Sequence, residues 1–217
     1  MPLQFRKPIL YLITRGASTE ATTRESPEFQ NILEQISGAV EAGVDLIQIR
    51  EKHLSARVLF ELTERAAEIT RMSSTRLLVN DRADIAAGAG ADGVHLTTQS
   101  LDAAVVRQTL GDKILIGAST HSLAEAIAAR EGGADFIVFG PVFETASKAQ
   151  YGEPVGLKKL AEVTRTLSGF PVLALGGITT ANAAQCLQAG AAGIAAISLF
   201  SDAANLDLVV DELKRNE

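Results

Sequence analysis

Gln48, Arg50 and Lys52 occupy alternate positions of Gln48-Ile49-Arg50-Glu51-Lys52, so an extended chain turns an amide and two cations to one side. A guanidinium and an ammonium at that spacing suit a polyphosphate, the arginine supplying a two-pronged fork. The alternative is pairing of both cations with neighbouring carboxylates. Asn80-Asp81 offers a carboxylate of the kind that holds Mg²⁺, which usually keeps phosphate oxygens among its ligands. The backbone N–H groups of Gly176-Gly177-Ile178 and Ile197-Ser198 could cradle a phosphate, while a tight turn is the plainer reading of the glycine pair. His121 follows Ser119-Thr120, where an imidazole could act as a general acid or base, whereas His95, inside Val94-His95-Leu96, suits a buried hydrogen-bonded place or a ligand contact equally well. The histidines lack zinc-ligand spacing, and no Gly-x-Ser-x-Gly, His-Glu-x-x-His or P-loop sequence occurs.

These residues lie at the carboxyl ends of short apolar runs. Eight runs, at 9–14, 46–50, 76–80, 93–96, 114–117, 136–140, 172–176 and 193–198, alternate with segments of helical period. Their apolar residues are mostly consecutive, as in strands covered on both faces. Ser26 before Pro27 opens a helix over 27–42, and Ser55, Ser100 and Thr180 are expected caps for helices ending near 71, 110 and 189. Ser122 with Glu125 reads as a capping box for 123–130, and 158–167 and 206–215 supply two more helices. Ala42-Gly43-Val44-Asp45, Ala89-Gly90-Ala91-Asp92, Gly132-Gly133-Ala134-Asp135 and Ala189-Gly190-Ala191-Ala192 each fall between a helix and a strand, where glycine suits a left-handed cap. They precede every second run, dividing the chain into four βαβα units. The expectation is an α/β chain folded as a single (β/α)8 TIM-barrel domain over residues 1–217. Residues 88–93 match G-x-G-x-x-G but lead into a strand rather than out of one, which excludes a dinucleotide loop. Polar stretches at 15–25 and 143–156 follow the first and sixth runs and are expected to be mobile loops over the carboxyl face.

The 217 residues are 47% hydrophobic and 21% charged, with 20 Lys+Arg against 26 Asp+Glu and a net charge of −6. That composition belongs to a soluble globular protein and excludes disorder and any general attraction for nucleic acid. Cys186, the single cysteine, excludes a disulfide framework and a cysteine-based zinc module, and is expected to be an inert core thiol. No run has membrane-spanning length, and the apolar stretch at 9–13 is too short for a signal peptide, so a cytoplasmic protein without a membrane partner is expected. Ala-rich helices fit a homo-oligomer interface or packing on the barrel equally well.

In order and type, these motifs resemble the thiamine-phosphate synthase family from Leu10 to Ser198. The family's Gln-x-Arg-Glu-Lys stands at 48–52, its Asn-Asp at 80–81, its Ala-Asp-Gly-Val-His at 91–95 and its Gly-x-Ser-x-His at 117–121. Its Gly-Pro-x-Phe-x-Thr-x-Ser-Lys stands at 140–148 and its Gly-Gly-Ile at 176–178. The resemblance implies a TIM-barrel transferase that joins hydroxymethylpyrimidine diphosphate to a thiazole phosphate, giving thiamine phosphate and pyrophosphate with Mg²⁺ as cofactor. By that likeness Gln48, Arg50, Lys52, Asn80 and Ser119 hold the pyrimidine diphosphate and Asp81 binds the metal. Thr145, Ser147, Gly177, Ile197 and Ser198 hold the thiazole phosphate, and Lys148 meets pyrophosphate. Arg50, Lys148, Ser119 and His121 form the implied catalytic set. Where the family continues Gly-Gln-x-Asp after the histidine, this chain has Thr97-Thr98-Gln99-Ser100, and a serine cannot replace the second metal-binding aspartate.

Two other readings remain open. Phe143-Glu144-Thr145 and His121 resemble the thiazole tautomerase branch, which isomerises a thiazole phosphate without condensing it. A non-catalytic phosphate-binding barrel would bind without turnover. The row Gln48-Arg50-Lys52 and Asn80-Asp81 favours the synthase, because only a diphosphate substrate requires them. Arg50→Ala is accordingly expected to cost far more activity than Glu51→Ala.

Overall fold

Eight parallel strands pair in chain order and close on themselves, β1 (Ile9–Ile13), β2 (Leu46–Ile49), β3 (Arg76–Asn80), β4 (Gly93–Leu96), β5 (Leu115–Thr120), β6 (Phe136–Phe139), β7 (Val172–Leu175) and β8 (Gly193–Ala196), with β8 returning to β1. The computed structural model describes residues 8–145, 153–201 and 205–215. A helix follows each strand: α1 (Pro27–Glu41), α2 (Ala56–Thr70), α3 (Ala83–Gly88), α4 (Ala103–Leu110), α5 (Leu123–Glu131), α6 (Gly156–Thr166), α7 (Thr180–Gln188) and α8 (Leu206–Arg215). The expected (β/α)8 barrel is therefore the observed fold.

Strand alternation separates two cores. Ile9, Tyr11, Ile13, Leu46, Leu78, Phe136, Val138 and Leu173 point into the barrel. Their chain neighbours Leu10, Leu12, Ile47, Leu77, Val79, Ile137 and Phe139 point outward, against the buried stripes of the helices. This explains the continuous apolar runs, since every strand residue has an apolar layer on one side or the other.

The repeated Gly-x-Asp segments end helices and then do a second job. Gly43, Gly90, Gly133 and Gly190 all have positive φ, at 77°, 79°, 88° and 92°. Two residues on, the Oδ2 atoms of Asp45, Asp92 and Asp135 accept the N–H groups of Leu10, Leu77 and Ile116 at 2.9, 2.9 and 2.7 Å. Each carboxylate thus secures the start of the preceding odd-numbered strand, and each has a cation beside it: Lys214 at 3.6 Å, Arg76 at 3.0 Å and Arg107 at 2.7 Å. The fourth copy has Ala192 in place of aspartate. This end of the barrel is structural and leaves the opposite, carboxyl end for chemistry.

Several helix starts differ from the sequence reading. Ser55 accepts the Val58 N–H as expected, but α4 begins after Asp102, while Ser100 is turned to the Thr97 N–H at 2.7 Å. Thr179, one residue earlier than expected, caps α7, its N–H donating to Asn182 Oδ1 at 2.8 Å. Helix α3 was not foreseen. Six residues hold less than two turns, too few to display a period.

Candidate active site

The inward parity that places Leu46, Leu78, Gly93 and Leu115 inside the barrel also aims Gln48, Asn80, His95 and Ser119 at its carboxyl mouth. In register, Asn80 lies beside His95 and His95 beside Gly117, so the four polar side chains form an arc across β2 to β5. The other half of the mouth, from β6 round to β1, presents Val138, Leu175, Ile197 and Ile13. The cavity mouth is therefore polar on one side and apolar on the other.

Within the arc, Gln48 Nε2 donates to Asn80 Oδ1 at 2.9 Å, and the buried Gln48 Oε1 has no partner among the described residues. An orphaned acceptor at that depth costs free energy unless a ligand donor meets it. His95 is wholly enclosed, with Nε2 2.9 Å from Ser119 Oγ and Nδ1 3.2 Å from the Tyr11 hydroxyl. Its ring leans on Tyr11 and Phe136, at centroid distances of 5.7 and 6.1 Å. Burial first, and the Arg50 charge second, lower its pKa to about 3, so the imidazole is neutral at physiological pH. Gly117 makes room for it, since a Cβ there would stand 2.4 Å from Phe136 Cζ and 2.8 Å from His95 Nδ1.

Arg50 follows the last residue of β2 and is half-buried, its N–H donating to Thr14 Oγ1 at 2.8 Å. Among the described residues neither Arg50 nor Lys52 has an ion-pair partner, so the carboxylate-paired alternative is not what the fold adopts. Lys52, however, is on a turn and exposed, because β2 ends at Ile49 and alternation does not carry the row further.

Glu51 is the residue whose role sequence reasoning missed. It is buried, and its carboxylate accepts from Thr14 Oγ1 at 2.7 Å, Gly16 N–H at 3.1 Å and Ser18 N–H at 3.0 Å. It thereby fastens the start of the 15–25 segment to the end of β2, beside Arg50. Glu51→Ala is consequently no neutral comparator for Arg50→Ala.

Asp81 adopts a left-handed φ of 64°, rare for a residue with a Cβ, and its N–H donates to the His95 carbonyl at 2.9 Å. Its exposed carboxylate has no hydrogen bond or ion pair among the described residues, whereas Arg82 is taken by Asp84 at 2.6 Å. An unpartnered carboxylate beside the arc fits a hard cation, although the described residues contain no cluster of three or more acidic, histidine or cysteine ligands. The donor set is therefore one carboxylate plus whatever oxygens a substrate brings.

On the apolar side, Gly177 has φ 62° and could not carry a Cβ, which would lie 2.3 Å from the Glu144 carbonyl oxygen. The glycine pair thus lets the β7 loop pack against the β6 loop, where Thr145 lies half-buried. The N–H groups of Gly177 and Ser198 take no acceptor among the described residues. Ile197 is half-buried and Ser198 exposed beside it, and the Ser198 carbonyl accepts from Ser201 Oγ at 2.7 Å. Arg15 also donates to Ser201 Oγ, tying the β1 and β8 loops together. Ser147 and Lys148 lie outside the described residues, as does half of the 143–156 loop. His121 stands apart from the arc on an exposed turn, its N–H and Nδ1 directed to Glu125 Oε2 at 2.8 and 3.3 Å.

The family model described as thiamine monophosphate synthase matches residues 10–200. A Geobacter sulfurreducens protein provisionally named thiamine-phosphate synthase is 49% identical over 189 residues, covering 87% of this chain and 84% of that protein. The thiamine-phosphate synthase of Chlorobium limicola is 41% identical over 175 residues, covering 81% of this chain and 83% of its own length. Among solved structures, thiamine phosphate pyrophosphorylase from Pyrococcus furiosus superposes with a TM-score of 0.80 at 31% identity, covering 95% of this chain and 94% of that one.

Proposed function

The chain belongs to the thiamine monophosphate synthase family and is a transferase of that kind, and from this premise we propose how its own residues carry the condensation. Hydroxymethylpyrimidine diphosphate lies against Gln48, Arg50, Asn80 and Ser119, with Lys52 at the outer edge. The thiazole phosphate takes the N–H groups of Gly177 and Ser198, which have no acceptor among the described residues, with Ile197 and Thr145 beside it. Ser147 and Lys148 complete the phosphate and pyrophosphate contacts.

The reaction breaks the bond between the pyrimidine methylene carbon and the diphosphate oxygen, and the electron pair leaves with pyrophosphate. The lone pair of the thiazole nitrogen then forms the new carbon–nitrogen bond. No proton is transferred, so the protein's task is electrostatic and positional. Arg50 carries this reading. It is a half-buried cation without an ion-pair partner among the described residues, next to an arc of neutral hydrogen-bonding groups. It meets the negative charge that builds on the leaving group. Gln48 offers its orphaned acceptor to a pyrimidine donor, and the apolar half of the mouth receives the thiazole ring and keeps water from the cationic centre.

Asp81 would hold Mg²⁺ together with the diphosphate oxygens. The ion supplies charge neutralisation of the leaving group. Ser100, with its hydroxyl bonded to Thr97 N–H and 3.0 Å from Thr97 Oγ1, adds no anionic ligand.

The test is turnover by purified protein of the two substrates together with Mg²⁺, following thiamine phosphate and pyrophosphate. Equimolar appearance of both is expected. Isomerisation of a thiazole carboxylate phosphate without condensation would assign the site to the tautomerase reaction, and binding without turnover would make it a phosphate-binding barrel.

A further inference from the structure

We propose that Tyr11 fixes the tautomer of His95 and through it compels Ser119 to act as a hydrogen-bond donor to the bound pyrimidine diphosphate. The inference rests on the substrate assignment above for what Ser119 touches, but not for the tautomer itself. Tyr11 lies at the centre of β1, fully buried, and its hydroxyl has one partner among the described residues, His95 Nδ1 at 3.2 Å. A phenol in that position has two options. If it accepted a proton from Nδ1–H, its own O–H would be a buried donor with nowhere to go. If it donates, only lone pairs are left unfilled, and an orphaned acceptor on a hydroxyl costs less than an orphaned donor.

Tyr11 therefore donates, Nδ1 is the accepting nitrogen, and the neutral ring must carry its single proton on Nε2. Nε2 lies 2.9 Å from Ser119 Oγ, so the imidazole donates to the serine. That contact occupies a serine lone pair and leaves the serine proton free. Ser119 is at an inward position of β5 and half-buried, so its remaining direction of donation is toward the cavity mouth. Three residues from separate strands thus pass one orientation from the barrel interior to the ligand: Tyr11 to His95 to Ser119. His95 and Tyr11 are positioning residues, and Ser119 is the group that touches substrate.

The packing supports a fixed rather than a rotating ring. Phe136 meets Tyr11 edge-on, with centroids 5.6 Å apart at 77°, and His95 lies so close to Gly117 that a Cβ there would stand 2.8 Å from Nδ1. Tyr11→Phe is therefore a conservative probe that keeps the aromatic contact and deletes only the hydroxyl.

The deciding measurement is the imidazole nitrogen NMR spectrum of the protein labelled with ¹⁵N-histidine, at neutral pH and without ligand. The expected result is a His95 ring protonated on Nε2 and bare on Nδ1, with the Nδ1–H form gaining population in Tyr11→Phe. A wild-type ring protonated on Nδ1, or on both nitrogens, overturns the proposal. Kinetics give the second reading: Tyr11→Phe should lower kcat about 3–10-fold, the worth of one oriented hydrogen bond, and should cost nothing further in a Ser119→Ala background. Equal losses in both backgrounds would show that the Tyr11 hydroxyl does not act through Ser119 and would also overturn it. A wild-type chain without condensation activity would strike the substrate assignment, and the spectrum would still decide the tautomer.

Discussion

The proposed chemistry centres on Arg50 because the fold denies it a carboxylate among the described residues while placing it beside buried dipoles. Arg50→Ala is expected to lower kcat/KM by about 100-fold or more, the scale of losing a charge-assisted contact to a developing anion. Arg50→Lys should restore only part of it, because an ammonium lacks the fork. Steady-state kinetics with both substrates check this. His95 yields a pH expectation. Its folded-state pKa, about 3, lies below its ordinary 6.5, so the folded chain takes up this proton later than the unfolded one. The stability it contributes is present above pH 6.5 and is lost as the pH falls from there toward 3. In urea titrations at about pH 7 and pH 5, wild type should lose more stability than His95→Gln; an equal loss in the two would contradict a neutral buried ring. Cys186 is buried, with its pKa pushed up to about 11 by that burial, so thiol reagents should modify it only on unfolding. At this scale the sequence displayed Gln48, Arg50, Asn80 and Asp81 through type and spacing. It hid Glu51, which reads as one more rim charge because its donors Thr14, Gly16 and Ser18 lie more than thirty positions away.

The elements divide the labour between the two ends of the barrel. At the amino end, Asp135 holds the Ile116 N–H and Arg107 at 2.7 Å each, in a largely enclosed setting. Asp135→Ala should cost about 1–3 kcal/mol of stability, because the Ile116 N–H is orphaned and Arg107 loses its carboxylate while keeping its bonds to the Gly111, Ile114 and Gly133 carbonyls, and leave kcat unchanged. Denaturant unfolding and the standard assay separate the two effects, and an activity loss at unchanged stability would contradict the division. At the carboxyl end Glu51 does the opposite. Glu51→Gln should preserve the fold but loosen the 14–18 segment, raising KM, since an amide replaces a carboxylate that accepts three hydrogen bonds. The strands and the Gly-x-Asp repeat were legible because each is a local pattern of apolar continuity or glycine placement. The short α3 and the late start of α4 were not, since Ser100 and Asp102 are both competent caps and only the Thr97 turn decides between them.

As a whole molecule the chain is a closed barrel whose carboxyl mouth is polar on β2 to β5 and apolar on β6 to β1, and the proposed function assigns the two phosphorylated ligands separate places on it. Four similar units predicted closure, because each βαβα segment must bury a strand pair and only a ring of eight strands leaves no edge. The asymmetry of the mouth follows from which inward position on each strand ends in a polar residue, a property visible only once register is fixed. The most direct test is a crystal structure of the protein with thiamine phosphate, pyrophosphate and Mg²⁺. The expected result is pyrophosphate and the metal against Arg50, Asn80 and Asp81, with the thiamine phosphate group on the Gly177 and Ser198 N–H groups. Pyrophosphate bound away from Arg50 and Asp81, or both phosphorylated groups gathered on the β7–β8 side, would contradict the account.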